Sequence, residues 1–303
     1  MKVGLYSITY LGIWYKGPAL TWREFLHQAK TLGYDGVEFD GKRPHANPMD
    51  LDQRTREAIR NEAEKLGLEI PALSSNNDFS SPVPEHRECQ LLMVREQARL
   101  AADLGAKVVR LFAAWPGITT RDELAHYEEA HQGWGRAFPD IPRLVRWRLV
   151  RECLTEAAAF GEQYGVVMAL QNHPPLTRHW RDAYDLVKEV NSPWLKMCWD
   201  IPTQEWDEAW LRKGAETIGA LQAHFHFNGD YRRDGDQVVL KSVSPDMHPT
   251  FVKLLKQIGY DGYACYEYCH PAVDAHHDPA GIELVHEQAA LALEYMRGLI
   301  ARC

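Results

Sequence analysis

The chain is 303 residues long, 45% hydrophobic and 25% charged, a balance that excludes a disordered segment, a collagen-like repeat and a disulfide-stapled miniprotein. Lys+Arg 34 against Asp+Glu 42 gives a net charge of −8, and with no long basic run a nucleic-acid partner is not expected. No stretch reaches the ~20 apolar residues that span a bilayer, and Met1-Lys2-Val3-Gly4-Leu5-Tyr6 reads as a strand rather than a secretory leader, so a cytoplasmic protein without membrane contact is expected.

In chain order, short apolar runs predict strands at residues 2–8, 36–39, 69–73, 107–112, 166–170, 195–199, 220–227 and 263–266. Between them, helix-period stretches occupy residues 22–31, 52–66, 86–104, 144–164, 181–190, 206–218, 250–258 and 282–300. Gly33, Gly67, Gly105, Gly165 and Gly259 stand just past helix ends, the favoured left-handed stop, and a strand follows each. The fragment Leu32-Gly33-Tyr34-Asp35-Gly36-Val37-Glu38 returns as Ile258-Gly259-Tyr260-Asp261-Gly262-Tyr263. Reuse of one helix-to-strand turn early and late fits stacked βα units. Eight such alternations predict an α/β fold, a closed (β/α)8 TIM barrel spanning residues 1–303 as a single domain. The first strand lacks the G-x-G-x-x-G turn of an open dinucleotide-binding sheet.

Long loops are predicted after strand four (residues 116–142) and strand seven (residues 229–249), the latter with a hairpin turn at Arg233-Asp234-Gly235-Asp236. Both fall on the C-terminal face of a barrel, where loops shape the pocket. The irregularly spaced Cys89, Cys153, Cys198, Cys265, Cys269 and Cys303 read as free thiols. Cys265-x3-Cys269-His270 has no second pair to complete a zinc cluster.

Polar residues gather at the ends of the last four strands: Gln171-Asn172-His173, Asp200, His224-Phe225-His226 and Glu267. Alternation sends Phe225 and Phe227 outward and His224 and His226 inward, and it puts Gln171 with His173 and Cys265 with Glu267. Any one of these is explained as a solvated strand cap. At corresponding positions on successive strands, Gln171, Asp200, His226 and Glu267 form a mixed oxygen and nitrogen set for one divalent ion. Mn²⁺ is expected ahead of Mg²⁺, Co²⁺ or Zn²⁺. Glu38, ending the second strand, suits a substrate hydroxyl or the orientation of a ligand histidine. Arg110 is a substrate contact or a buried cation paired with such a glutamate. Asn172 is a further substrate-binding candidate. Trp14, Trp115 and Trp199 lie where an indole stacks on a substrate or packs the core, and Trp115 is the candidate for stacking.

These strand ends make the whole chain resemble the xylose-isomerase-like barrels, which include ketose 3-epimerases, inosose dehydratases and endonuclease-IV-like enzymes. The resemblance implies a divalent metal held by Glu, Asp, His and Glu from strands five to eight, with Asp200, His226 and Glu267 matching three of the four. The run His226-Phe227-Asn228-Gly229-Asp230-Tyr231-Arg232 resembles the ketose-epimerase pattern, which implies that Arg232 contacts substrate. Two positions depart from that pattern. Gln171 stands where the first glutamate is usual, and an amide cannot accept a proton. Thr203 replaces a histidine. Both weigh against a symmetric two-carboxylate epimerisation.

The expected function is therefore a metal-dependent isomerase or epimerase of an unphosphorylated sugar or keto-sugar, working through proton abstraction and a metal-stabilised enediolate. Glu267 and His173 are the proton-moving candidates, and replacing either should nearly abolish turnover. A lyase on the same scaffold, a keto-sugar dehydratase or a deglycosidase of 3-keto-C-glycosides, is the alternative. A non-catalytic sugar-binding barrel and an endonuclease-IV-like nuclease rank lower. The resemblance also implies a homo-oligomer, or a partner subunit for a deglycosidase-like chain.

Overall fold

The computed structural model of the chain describes residues 1–303 except residue 123, residues 201–206 and residues 242–244. Eight parallel strands form a closed barrel: β1 Lys2–Tyr6, β2 Gly36–Asp40, β3 Ala72–Ser74, β4 Val108–Leu111, β5 Val167–Gln171, β6 Leu195–Cys198, β7 Gln222–Phe227 and β8 Tyr263–Tyr266. Each strand bonds to the next in sequence, and β8 closes on β1. The helices between and after them are α1 Trp22–Leu32, α2 Gln53–Leu66, α3 Pro84–Leu104, α4 Arg143–Tyr164, α5 Trp180–Val190, α6 Glu208–Ile218, α7 His248–Gln257 and α8 Ile282–Arg302. The helix start expected at Trp206 lies outside the described residues.

The strand edges move for identifiable reasons. β1 ends before residue 8 because Ser7–Tyr10 turns into a 3₁₀ helix, where Ser7 Oγ accepts from the Asp40 backbone N–H at 2.8 Å. β3 begins at Ala72 because Pro71 has no N–H for the ladder; its carbonyl still accepts from the N–H groups of Lys107 and Val108. β7 begins at Gln222 because Gly219–Leu221 is a 3₁₀ turn. Helix signals in the sequence are realised as physical caps. Thr21 and Glu24 close a capping box at α1, which stops on Gly33 at φ 95°, a backbone angle open to glycine without cost.

Register carries the site. Gln171 on β5 pairs with Cys198 on β6, Cys198 with His224 on β7, and His226 with Cys265 on β8. The predicted alternation on β7 holds: Phe225 packs on Phe251 of α7 at 5.5 Å, while His224 and His226 meet Glu38 inside the barrel. Below them, Ala72, Val108, Ala169 and Cys198 form a small-residue layer.

The loop after β4 contains a hairpin, Thr119–Arg121 with Leu124–His126, and a helix, Glu128–Arg136. The hairpin docks through the Ala125 N–H on the Ile13 carbonyl, 2.7 Å. The hairpin expected after β7 is present as Tyr231–Asp234 with Gln237–Leu240. All six cysteines are free thiols. Among the described residues no helix is long and apolar enough to cross a membrane.

Candidate metal centre

Gln171 is the last residue of β5, Asp200 lies two past β6, and His226 is the penultimate residue of β7. Barrel closure brings these three buried side chains together. Gln171 Nε2 donates to Asp200 Oδ2. His226 Nδ1 lies 3.4 Å from the same oxygen, and the His226 backbone N–H donates to Asp200 Oδ1 at 2.7 Å. Asn172 holds the Asp200 backbone from both sides: its Oδ1 accepts from the Asp200 N–H at 2.8 Å, and its Nδ2 donates to the Asp200 carbonyl at 3.1 Å. The expectation for Asn172 was substrate contact, yet both ends of its amide are spent on positioning Asp200.

Two atoms in this group are buried and have no hydrogen-bond partner, Gln171 Oε1 and His226 Nδ1. An orphaned buried polar atom costs about 1–3 kcal/mol, and these two are the donor atoms a cation takes from an amide and an imidazole. The Cys198, Asp200 and His226 ligand atoms lie within 4.8 Å of one another. The residues present therefore fit a divalent ion.

Glu38, fully buried on β2, faces this group from across the barrel. His224 Nε2 lies 2.7 Å from its Oε2, His226 Nε2 lies 2.9 Å from the same oxygen, and Ser74 Oγ donates to Oε1. Burial alone would raise the pKa of Glu38; the two imidazoles outweigh it and hold the carboxyl well below its usual range. Burial disfavours charge on His226, but Glu38 and Asp200 more than compensate and raise its pKa well above the ordinary histidine value. With Nε2 held by Glu38, Nδ1 becomes the ligand position when a binding ion displaces its proton, a carboxylate–histidine arrangement common around metals. Of the two sequence readings of Glu38, the geometry has it orienting the histidine.

Arg110 is also buried and wholly engaged. It donates from Nε to Ser74 Oγ at 3.0 Å, from Nη1 to the Ser75 carbonyl at 2.8 Å, and from Nη2 to Tyr6 OH at 2.9 Å. Its guanidinium sits 4.0 Å from the centre of the Phe112 ring. It reaches Glu38 through Ser74 rather than by a direct ion pair.

Glu267 follows β8 directly and accepts from Asn228 Nδ2 at 3.5 Å. Burial raises its pKa, with Asp200 adding to the shift and His226 opposing it. His173 packs edge-on against both Phe112 and Trp115, with ring centres 4.9 and 5.1 Å away. Its Nδ1 is 2.6 Å from the Pro174 carbonyl, so Nδ1 carries the proton and Nε2 is the acceptor. Burial lowers its pKa to about 4. Trp115 is stacked on Phe112 at 4.8 Å and half-buried. Trp199 points outward against Phe251, and Trp14 stacks on Tyr127, so both pack the structure. Arg232 stands exposed on the second hairpin, 3.9 Å from Asp234, outside the buried cluster. Thr203 lies outside the described residues.

Sequence reasoning passed over three members of the site. Cys198 shares the inward parity of Asp200, two residues on, and Tyr6 and Asp40 end the first two strands; the same strand-end rule applied to β1 and β2 would have found the latter pair.

The chain and its fold have counterparts among known proteins. Residues 26–296 match the family model described as a xylose isomerase-like TIM barrel. L-ribulose-5-phosphate 3-epimerase UlaE of Escherichia coli is 27% identical over 254 residues, 80% of each chain. A D-psicose 3-epimerase structure from Clostridium cellulolyticum H10 with D-tagatose superimposes with a TM-score of 0.71 over 99% of both chains at 17% identity. The IolI protein with a bound zinc atom gives 0.70 at 16% identity, over 100% of this chain and 99% of that one.

Proposed function

The chain belongs to the xylose isomerase-like TIM barrel family, and from that premise we propose that it is a divalent-metal-dependent isomerase or epimerase of an unphosphorylated sugar or keto-sugar. The observation that carries the reading is the pair of buried, partnerless donor atoms, His226 Nδ1 and Gln171 Oε1, beside the Asp200 carboxylate. Asp200, His226 and Gln171 would hold the ion, with Glu267 beside them. Bound there, a divalent cation polarises neighbouring carbonyl and hydroxyl oxygens of the sugar and acidifies the carbon between them.

The protein's own groups divide the remaining work. Glu267 is the base: burial raises its proton affinity above that of a solvated glutamate. His173, with a pKa of about 4, is neutral but a poor base at neutrality. Its role is to accept a substrate hydroxyl at Nε2, with its ring held edge-on against the stacked pair Phe112 and Trp115. This narrows the sequence expectation, in which either group moved the proton. Glu38 fixes His226, and Asn172 fixes Asp200.

A second reading has one observation in its favour. Gln171 donates to Asp200 and cannot take a proton, so Glu267 is left without a second carboxylate on the opposite face of the sugar. Proton removal followed by loss of a β-substituent, a lyase reaction, needs only that one base.

Solvent-deuterium incorporation measures the shared first step. Chelator-stripped protein, reloaded with a divalent ion, should exchange a carbon-bound proton of a free ketose or a 3-keto-glucoside, and L-ribulose 5-phosphate tests whether a phosphate is tolerated. Glu267→Gln should lower exchange ~10²–10⁴-fold, and His173→Ala should lower it less. Exchange by Glu267→Gln at the wild-type rate would remove that base from the mechanism. Water or aglycone in the products selects the lyase.

A further inference from the structure

We propose that Cys198 is an additional donor to the ion, bound as a thiolate, and that the site consequently prefers a zinc-like cation to Mn²⁺ or Mg²⁺. The inference rests on the metal-dependent reading above and goes further by naming the ion's chemical class.

Cys198 is the last residue of β6, two before Asp200, so both side chains face the barrel interior. The register sets it beside Gln171 on one side and His224 on the other. Its Sγ donates to Asp200 Oδ1 at 3.5 Å, and the Cys198, Asp200 and His226 ligand atoms all fall within 4.8 Å of one another. The three residues are buried, and two further atoms of the same cluster, His226 Nδ1 and Gln171 Oε1, have no partner. Three ligand atoms of different kinds, carboxylate, imidazole and sulfur, therefore converge, and the amide whose oxygen lacks a partner is bonded to the same carboxylate.

A second group of comparable tightness, Glu38, His224 and Cys265, argues by contrast. There no buried side-chain nitrogen or oxygen lacks a hydrogen-bond partner, so no donor is left waiting. The cluster around Cys198 has both the sulfur and the vacancies in its hydrogen bonding.

The chemistry follows from ligand softness. An all-oxygen set with one imidazole suits Mn²⁺ or Mg²⁺, whereas a thiolate with an imidazole in a compact set of four suits zinc or cobalt. On binding, the sulfur–hydrogen bond of Cys198 gives way to a sulfur–metal bond, and the proton leaves to solvent; nothing is oxidised or reduced. Glu267 belongs to neither close group of ligand atoms among the described residues, which leaves its carboxylate for proton transfer.

Cobalt substitution reads the bond directly. Stripped protein loaded with one equivalent of Co²⁺ should show a sulfur-to-cobalt charge-transfer band in the near ultraviolet. Cys198→Ser should lose that band while retaining the weaker visible bands of bound cobalt, and Cys265→Ala should keep both. A band that survives in Cys198→Ser, or cobalt bound by the wild type without any such band, would overturn the thiolate and leave the metal-dependent reading standing. Protein that binds no Co²⁺ overturns both. Should Cys198→Ser fail to fold, X-ray absorption of zinc-loaded wild type decides: one sulfur at about 2.3 Å supports the proposal, and only nitrogen and oxygen at about 2.0–2.2 Å rejects it.

Discussion

The two halves of the barrel mouth are buried alike but wired differently. On the β1–β4 side, Arg110 donates to Tyr6 OH at 2.9 Å, Tyr6 donates to Asp40 at 3.1 Å, Arg110 and Glu38 share Ser74, and Glu38 receives both imidazoles. None of the buried side-chain polar atoms of these five residues is orphaned. On the β5–β8 side, Gln171 Oε1 and His226 Nδ1 are orphaned within a few ångströms of a carboxylate. Folding has satisfied the side chains of these five residues and left Gln171 and His226 with unused valence. The first is a rigid wall that needs nothing more; the second is a socket whose remaining cost is recovered when something binds.

The strongest way to break that contrast is to open the closed side. Glu38→Gln removes the negative charge between two buried imidazoles and leaves them uncompensated. Stability should fall by roughly 3–5 kcal/mol, the usual consequence of halving a buried ion pair, read as a shift of the urea midpoint. Divalent-ion affinity should fall ~10–100-fold as well, because His226 loses the group that orients it. A variant as stable as wild type would mean that the wall is not the closed network its hydrogen bonds describe.

The opposite side responds to an added charge. Gln171→Glu sets a second carboxylate against Asp200 Oδ2, where an amide N–H now donates. Without an ion, the lost hydrogen bond and the repulsion should destabilise by ~1–3 kcal/mol. With a divalent ion in excess the loss should be reversed, so the ion-dependent rise in Tm exceeds that of wild type. Thermal melts with chelator and with metal measure this; equal rises in the two proteins would show that position 171 does not face the ion.

The same contrast explains what the sequence could disclose. Gln171, Asp200 and His226 were legible because strand parity and barrel closure both act on strand ends, and neither depends on loops. Cys198 obeyed the same parity but read as a core thiol, since nothing in one sequence separates a small apolar filler beside Ala169 from a donor. Arg232 was misleading in its neighbourhood: motif spacing gives distance along the chain, and the hairpin at Tyr231–Asp234 carries it into solvent instead. Asn172 was recognised as polar, though its partner, the Asp200 backbone, is a contact no pattern of side chains encodes. The helix Glu128–Arg136 stayed hidden because it buries no residue and so writes no apolar stripe.

A half-buried carboxyl outside both halves, Asp246, sets the scale for the smaller effects. Asp246 accepts from the His248 backbone N–H at 3.0 Å, lies 2.9 Å from His248 Nδ1, and receives Tyr295 OH. Burial by itself would raise its pKa, but hydrogen bonding and charge from His248, with Tyr295, prevail and the net shift is below the ordinary 3.8. A carboxyl depressed in the folded state contributes its full stabilisation above the unfolded pKa and loses it as pH falls through the folded one. Asp246→Asn should therefore cost ~1 kcal/mol at pH 7, with the gap to wild type closing as the pH falls below ~3.8. A gap of equal size at acidic pH would assign the effect to packing. It would also mean that a satisfied pair in this fold contributes little through charge, which would shrink the loss expected from Glu38→Gln and narrow the distance between wall and socket.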